Sequence, residues 1–224
     1  MAGRVAYYGN IVTQGLILDL DAGRKDSYPR TGTSWIDISG NNNNGTLING
    51  PTYSDGSIVF DGVDDYVRCS TDLGSLTSVT ISFWVKPTNP ENNGPFVFFS
   101  NRLVSSTGLA LWITQSKFSS RLNGTQLIGT NTSIANGVWK NLVYKWDGAN
   151  AYLYVDSILD TTASNASSVL NGAANLSIAA ETYGGDNADL LYLGETANTQ
   201  IYNRALTQTE ITQNFNALRG RYGI

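Results

Sequence analysis

Histidine is missing from this chain altogether. Without an imidazole there can be no Ser-His-Asp triad, no Cys-His pair and no His-containing zinc site, so the most common general base of enzymes is unavailable. Cysteine occurs once, at Cys69, which excludes an intrachain disulfide and the disulfide framework of small secreted domains. A single thiol of this kind reads as a small buried hydrophobe. Charge is scarce too: 14% of residues are Asp, Glu, Lys or Arg, and a net charge of -4 provides no basic footprint to neutralise phosphates. Nucleic acid is not an expected partner. No run is long and apolar enough to span a bilayer, so no membrane is expected. The N-terminal stretch MAGRVAYYGNIVTQGLILDLDAG lacks the uninterrupted apolar core and small-residue cleavage site of a secretory signal. The sequons at Asn44, Asn123, Asn131, Asn165 and Asn175 then read as by-products of an Asn- and Thr-rich composition.

What is present is turn chemistry and aromatic surface. The 224 residues include 23 glycines and 12 tyrosines, a composition of many short strands joined by tight loops. A single sandwich domain of roughly 200–250 residues accommodates this length. The expected division is an N-terminal arm over 1–12, with Val5, Tyr7 and Tyr8 able to dock on a neighbour or on the sandwich itself, and one domain over 13–224.

The clearest all-β signal is GVWKNLVYKWDGANAYLYVDSILD, residues 137–160, which reads as two consecutive hairpins. Asp147-Gly148-Ala149-Asn150 carries the first reversal and Asp156-Ser157 the second. Between them Ala151, Leu153 and Val155 fall on one face, and Tyr152 and Tyr154 on the other, because strand side chains alternate. The preceding strand is less regular: Trp139 and Leu142 cannot share a face, which requires a bulge or burial on both sides.

Similar alternation marks strands over 16–20, 57–60, 66–69, 80–86, 96–99 and 109–114. A hairpin through Asn123-Gly124 is expected within 117–127, and late strands over 176–179 and 190–202. One helix closes the chain. Thr207-Gln208-Thr209-Glu210 is a capping box, and Ile211, Phe215 and Leu218 recur at helical spacing. The predicted fold is all-β, an antiparallel sandwich of the jelly-roll kind with one C-terminal α-helix.

The segments FDGVDDYV (residues 60–67), TISFWVKP (80–87), the double hairpin and IYNRALTQTEI (201–211) together resemble the laminin G-like, concanavalin A-like lectin/glucanase superfamily. The likeness extends over nearly the whole chain. GLILDLDAG, SYPRTGTSWIDISGNNNNGTLINGPTY and the ending RGRYGI resemble more closely standalone members encoded by tailed bacteriophages of aquatic bacteria. That resemblance implies a virion structural surface protein, a capsid decoration or a tail- or fibre-associated component, partnered by other virion proteins. A phage protein leaves its host by lysis, so the lack of a secretory signal agrees. The alternative is a glycan-binding adhesin for host surface polysaccharide. A homo-oligomer is expected from the aromatic arm and the symmetry of virion sites. Two departures from the family pattern stand out. Asp156-Ser157 replaces the usual Asp-Gly or Asn-Gly turn, and 194–200 is more polar than the strand that relatives place there.

No enzyme is expected. The glucanase branch keeps its carboxylates on one strand as Glu-x-Asp-x-x-Glu, whereas Glu91, Glu181, Glu195 and Glu210 are scattered here. No cofactor is certain. Calcium is the one candidate, at Asp37, Ser39, Asn41 and Asn43, which offer oxygen ligands at alternate positions. The competing reading is a polar turn whose side chains satisfy its own backbone. Asp61, Asp64 and Asp65 form a second acidic group with the same ambiguity, and manganese-plus-calcium pairing of the concanavalin A type lacks its histidine. For glycan, the candidates are Trp84, Trp112, Tyr152 and Tyr154, each opposite its strand's aliphatic residues. They would line one concave surface if their strands share a sheet; if that face is covered, they are core.

Overall fold

The computed structural model describes residues 10–91, 96–102, 107–167, 170, 172, 175–182 and 188–224. In chain order the first strands are β1 (Leu16–Asp21), β2 (Ser34–Trp35), β3 (Gly45–Ile48), β4 (Thr52–Ser54), β5 (Ser57–Asp61), β6 (Tyr66–Cys69), β7 (Val79–Pro87), β8 (Phe96–Ser100) and β9 (Leu109–Thr114). There follow β10 (Lys117–Leu122), β11 (Thr125–Ile128), β12 (Lys140–Trp146), β13 (Asn150–Val155), β14 (Ile158–Ser164), β15 (Leu176–Ile178), β16 (Glu181–Thr182), β17 (Ala188–Asp189) and β18 (Leu193–Tyr202). The helix α1 (Gln208–Leu218) comes last, with a 3-10 turn at Arg219–Arg221.

Two antiparallel eight-stranded sheets face each other. The first runs β14-β13-β12-β7-β18-β5-β4, with β1 also paired to β18. The second runs β11-β10-β9-β8-β15-β6-β3-β2, and β16 pairs with β17 separately. The expected jelly-roll-like sandwich with one C-terminal helix is the architecture observed. The register explains the core. Leu142 lies opposite Phe83 and Val155, and Tyr144 opposite Ile81 and Leu153, so alternate residues of three neighbouring strands point into the sandwich together. From the facing sheet, Phe98 meets Phe83 edge-on at 5.1 Å between ring centroids. Cys69 is fully buried, and burial raises its thiol pKa far above the usual range, so it is the inert small hydrophobe expected.

The outer face of the first sheet is covered as well. Thr207 accepts a hydrogen bond from the Glu210 backbone while Glu210 bonds back to the Thr207 N–H, the expected capping box. The Arg204 guanidinium on Glu210 holds that carboxyl down at about 2. With its start fixed, α1 lays Ile211 on Val143, Tyr154 and Tyr202, and Phe215 on Trp84. The chain at 10–12, the end of the expected arm, joins this layer. Val12 donates its backbone N–H to Asn214 Oδ1 at 2.8 Å and accepts from Tyr202 Oη at 3.0 Å. The rest of the expected arm, residues 1–9, lies outside the described residues.

Both sequence irregularities acquire a physical account. Asp156 and Ser157 take φ of 51° and 66°, both left-handed, so the turn keeps its usual hairpin form without glycine. Asp156 offsets the strain by accepting from Lys140 Nζ at 2.6 Å and from the Asn141 N–H at 3.0 Å. The polar strand β18 is buried on both sides, with Thr196 and Thr199 inward and Asn198 and Gln200 outward beneath the helix layer. A bulge between Thr196 and Asn198 shifts its register.

Candidate functional site

The sugar-stacking surface expected from Trp84, Trp112, Tyr152 and Tyr154 is not assembled. Strands β7 and β13 belong to the first sheet and β9 to the second, so Trp112 is on the opposite side of the sandwich. Trp84 is fully buried, with its ring stacked on Tyr222 at 4.1 Å and on Phe215 at 5.6 Å. Tyr154 is buried by α1 and Leu206. Trp112 is buried against Val97, Ala110 and Leu190. Tyr152 alone stays half-buried, its hydroxyl donating to Asp147 Oδ2 at 2.8 Å and its ring lying 3.9 Å from Lys145 Nζ. The physical reason is that alternation gives every strand two faces, and here protein covers both.

The calcium expectation at Asp37, Ser39, Asn41 and Asn43 also gives way. Asp37 Oδ1 accepts from the backbone N–H groups of Asp19 and Ser39, each at 2.9 Å. Its Oδ2 accepts from Ser39 Oγ at 2.8 Å and the Asn43 N–H at 2.9 Å. Asn41 and Asn43 turn their amide nitrogens onto the Leu16 and Ile17 carbonyls at 3.2 and 2.7 Å. Both oxygens of Asp37, the one charged group of the set, are thus committed to protein donors. The loop satisfies part of its own backbone, and it also clasps β1. In the second group the carboxylates of Asp61, Asp64 and Asp65 do approach within 4.8 Å of one another. There, too, Asp61 Oδ1 is engaged by the Val63 N–H at 2.8 Å, and burial raises the Asp65 pKa.

A different constellation forms where the C-terminal turn meets the rim of the first sheet. Tyr53, Asp55 and Gly56 on the β4–β5 hairpin, Arg30 from the loop after β1, Trp139 just ahead of β12, and Tyr222 beyond α1 enclose a cleft of about 280 Å³. The hairpin forms because Asp55 and Gly56 take φ of 41° and 88°, the geometry of a tight two-residue turn. Trp139 lies on the helix side of the sheet, as Val143 does, while Leu142 points into the sandwich, and β12 is buried on both faces, one of the two ways expected to reconcile them. The Trp139 ring packs on Tyr222 at 4.9 Å, and Tyr222 is fixed in turn by Trp84 beneath it.

These rings make the cleft's apolar wall, and the polar groups stand at its mouth. Arg30 is exposed, its guanidinium 5.6 Å from the centre of the Tyr53 ring, and it makes no ion pair with a described residue. Asp55 is exposed as well. The Tyr222 hydroxyl is buried without a hydrogen-bond partner among the described residues, and burial pushes its pKa well up, so it remains a neutral phenol. Arg221 closes the inner end, held by two bonds to Asp21. An aromatic wall with one acid and one guanidinium at its rim can stack a pyranose ring and take hydrogen bonds to vicinal hydroxyls. Of these residues, only Trp139 gave a sequence signal, its broken parity. Arg30, the β4–β5 hairpin with Tyr53 and Asp55, and Tyr222 come from separate segments that no spacing connects.

A profile of the family described as the concanavalin A-like lectin/glucanases superfamily matches residues 61–212. No curated protein matches the chain in sequence. Among solved structures, the binding domain of Paraclostridial Mosquitocidal Protein 1 superposes with a TM-score of 0.70 at 17% identity, over 91% of this chain and 52% of that one. The botulinum neurotoxin serotype D ligand binding domain, solved in complex with N-acetylneuraminic acid, gives 0.70 at 13% identity over 91% and 51%. The receptor binding domain of botulinum neurotoxin type G gives 0.67 at 15% over 90% and 51%. The chain spans about half the length of these structures, and at such identities the likeness establishes a shared lectin-like fold.

Proposed function

The chain belongs to the concanavalin A-like lectin/glucanases superfamily, and from that premise we propose that it is a glycan-binding domain whose sugar site is the cleft of Tyr53, Trp139 and Tyr222. The carrying observation is the half-buried aromatic wall of this cleft, edged by Arg30 and Asp55 with neither in an ion pair with a described residue. The volume lies just below the ~300–1,000 Å³ of common ligand pockets, which suits one sugar residue with the remainder of a polysaccharide lying outside. Binding rather than hydrolysis is favoured because Asp55 is the single carboxylate among the lining residues, whereas glycoside hydrolysis needs two. A structural neighbour solved with N-acetylneuraminic acid is consistent with sugar recognition on this fold.

Isothermal titration against host surface polysaccharides, preceded by a glycan array to choose them, tests the reading. Saturable binding is expected, falling at least tenfold in Trp139→Ala, since sugar–aromatic stacking supplies most of the apolar contact. Wild-type affinity in Trp139→Ala, or no binding across the array, would overturn it.

The biological setting is part of the same proposal. The chain is taken to act on the surface of a tailed bacteriophage as a homo-oligomer beside other virion proteins, supported by the phage-like character of GLILDLDAG and RGRYGI. Mass spectrometry of purified particles gives its copy number: hundreds would mean capsid decoration, a few or tens a tail component. Absence from the particle would remove this setting and leave the sugar site standing.

A further inference from the structure

A second cavity, of about 680 Å³, lies between β1, β18 and α1, and Gly23 and Arg221 line both it and the aromatic cleft. Its polar wall holds an uncompensated charge. Asp19 is 5% exposed; its Oδ1 accepts from Asn198 Nδ2 at 3.0 Å and, weakly, from Gln200 Nε2 at 3.5 Å. No described residue donates to its Oδ2. The cations nearby are engaged elsewhere, Arg221 with Asp21 and Arg24 with Asp26.

Two further oxygens share this condition. Gln200 lines the cavity at 1% exposure, and its Oε1 has no hydrogen-bond partner among the described residues. Asn198, also 1% exposed, leaves its Oδ1 without a partner. Both amide nitrogens already point at Asp19, so neither amide can be reversed without setting oxygen against carboxylate. Buried acceptors with no donor, grouped around one unpaired carboxylate, are what a bound cation would satisfy. The donor set is all oxygen, with no thiolate and no imidazole, which selects a hard cation. Neutral amide ligands at irregular positions suit calcium better than magnesium, which demands near-ideal octahedral geometry.

We propose that Asp19 and Gln200 hold a calcium ion in the cavity beneath α1. A single carboxylate places the affinity in the weak range, roughly 0.1–1 mM, with water completing the coordination. Burial raises Asp19 to about 6 while the Asn198 bond opposes it, and Asp21 and Arg24 are the other charges acting on it. Protons therefore compete with the metal below that pH.

The test uses the whole chain after treatment with a chelator. At 10 mM calcium and neutral pH the folded-to-unfolded ratio should rise at least tenfold, read as an upward shift of several degrees in Tm, with saturable heat in calorimetric titration. Asp19→Asn, nearly isosteric, should abolish both responses, and so should Gln200→Leu if the first variant fails to fold. The double variant Asp61→Asn, Asp64→Asn should keep them, since its residues lie in the other acidic group. An unmoved wild-type Tm, or a response lost in the double variant and kept in Asp19→Asn, would overturn the assignment. Sugar binding is read separately, so failure here leaves the aromatic cleft untouched.

Discussion

Asp21 and Arg221 stand 200 residues apart in the sequence and meet in a two-bond carboxylate–guanidinium pair, Nη1 to Oδ2 at 2.6 Å and Nη2 to Oδ1 at 2.7 Å. The pair ties the turn after α1 to the end of β1 at the boundary of the two cavities. It is possible because residue 23 has no side chain: a Cβ there would sit 2.0 Å from Arg221 Nη2.

Gly23→Ala should therefore expel the guanidinium and strand the buried Asp21 carboxylate. The Arg221 side chain is 29% exposed and can swing away, so the fold should survive with a loss of about 1–3 kcal/mol, the usual cost of depriving a buried acceptor of its partner. Urea denaturation measures it. Sugar affinity should fall as well, because Arg221 lines the cleft, and unchanged stability together with unchanged affinity would contradict the role given to the pair.

The two tryptophans among the sugar-stacking candidates should behave as core. Trp112→Ala should lower stability by about 3–5 kcal/mol, as large-to-small aromatic changes in cores do, and leave glycan affinity intact in the folded fraction. Trp84→Ala should cost a similar amount and also weaken binding, since its ring supports Tyr222 from below. Calorimetric unfolding paired with titration separates the two behaviours, and a Trp112→Ala protein that is stable but unable to bind would restore the surface reading.

Asp19 predicts an unusual pH response. Its acid is raised from 3.8 to about 6, so the folded state binds a proton that the unfolded chain has already lost in this interval. The associated stability is fully present below about pH 4 and lost as pH rises through 6. Two units correspond to on the order of 3 kcal/mol. Without metal, stability should thus decline from pH 4 to 7, and Asp19→Asn should flatten the profile and be the more stable protein at pH 7. Glu210, held near 2, works in the opposite sense, but its contribution levels off just above its unfolded value of 4.5, at the lower edge of this window. A flat wild-type profile from pH 4 to 7 would count against the uncompensated carboxylate.

Ser157 holds a φ of 66° at a position where glycine is strain-free. Ser157→Gly should stabilise the chain by about 0.5–1 kcal/mol, less the entropy that glycine adds to the unfolded state. Asp156→Ala should destabilise, because the carboxylate that clasps Lys140 and the Asn141 N–H disappears. Thermal denaturation of the two variants should show opposite signs.

By itself the sequence determined the local structure: alternation at residues 80–86, 109–114 and 151–155 prescribes strands, Thr207 with Glu210 prescribes the helix start, and the missing histidine removes whole classes of chemistry. These are readable because they depend on neighbours within a few residues. What the alternation of Trp84 and Tyr154 could not convey is what lies over their face, since that follows from α1 docking across strands that lie well before it in the chain. The tertiary structure alone decided that Trp84, Trp112 and Tyr154 are core, that the Asp37 carboxylate is engaged by its own loop and by β1, and that Arg30, Tyr53, Trp139 and Tyr222 converge from four segments. Long-range packing set the site because each of those side chains is placed by a different element, and no short-range rule couples the elements before they meet.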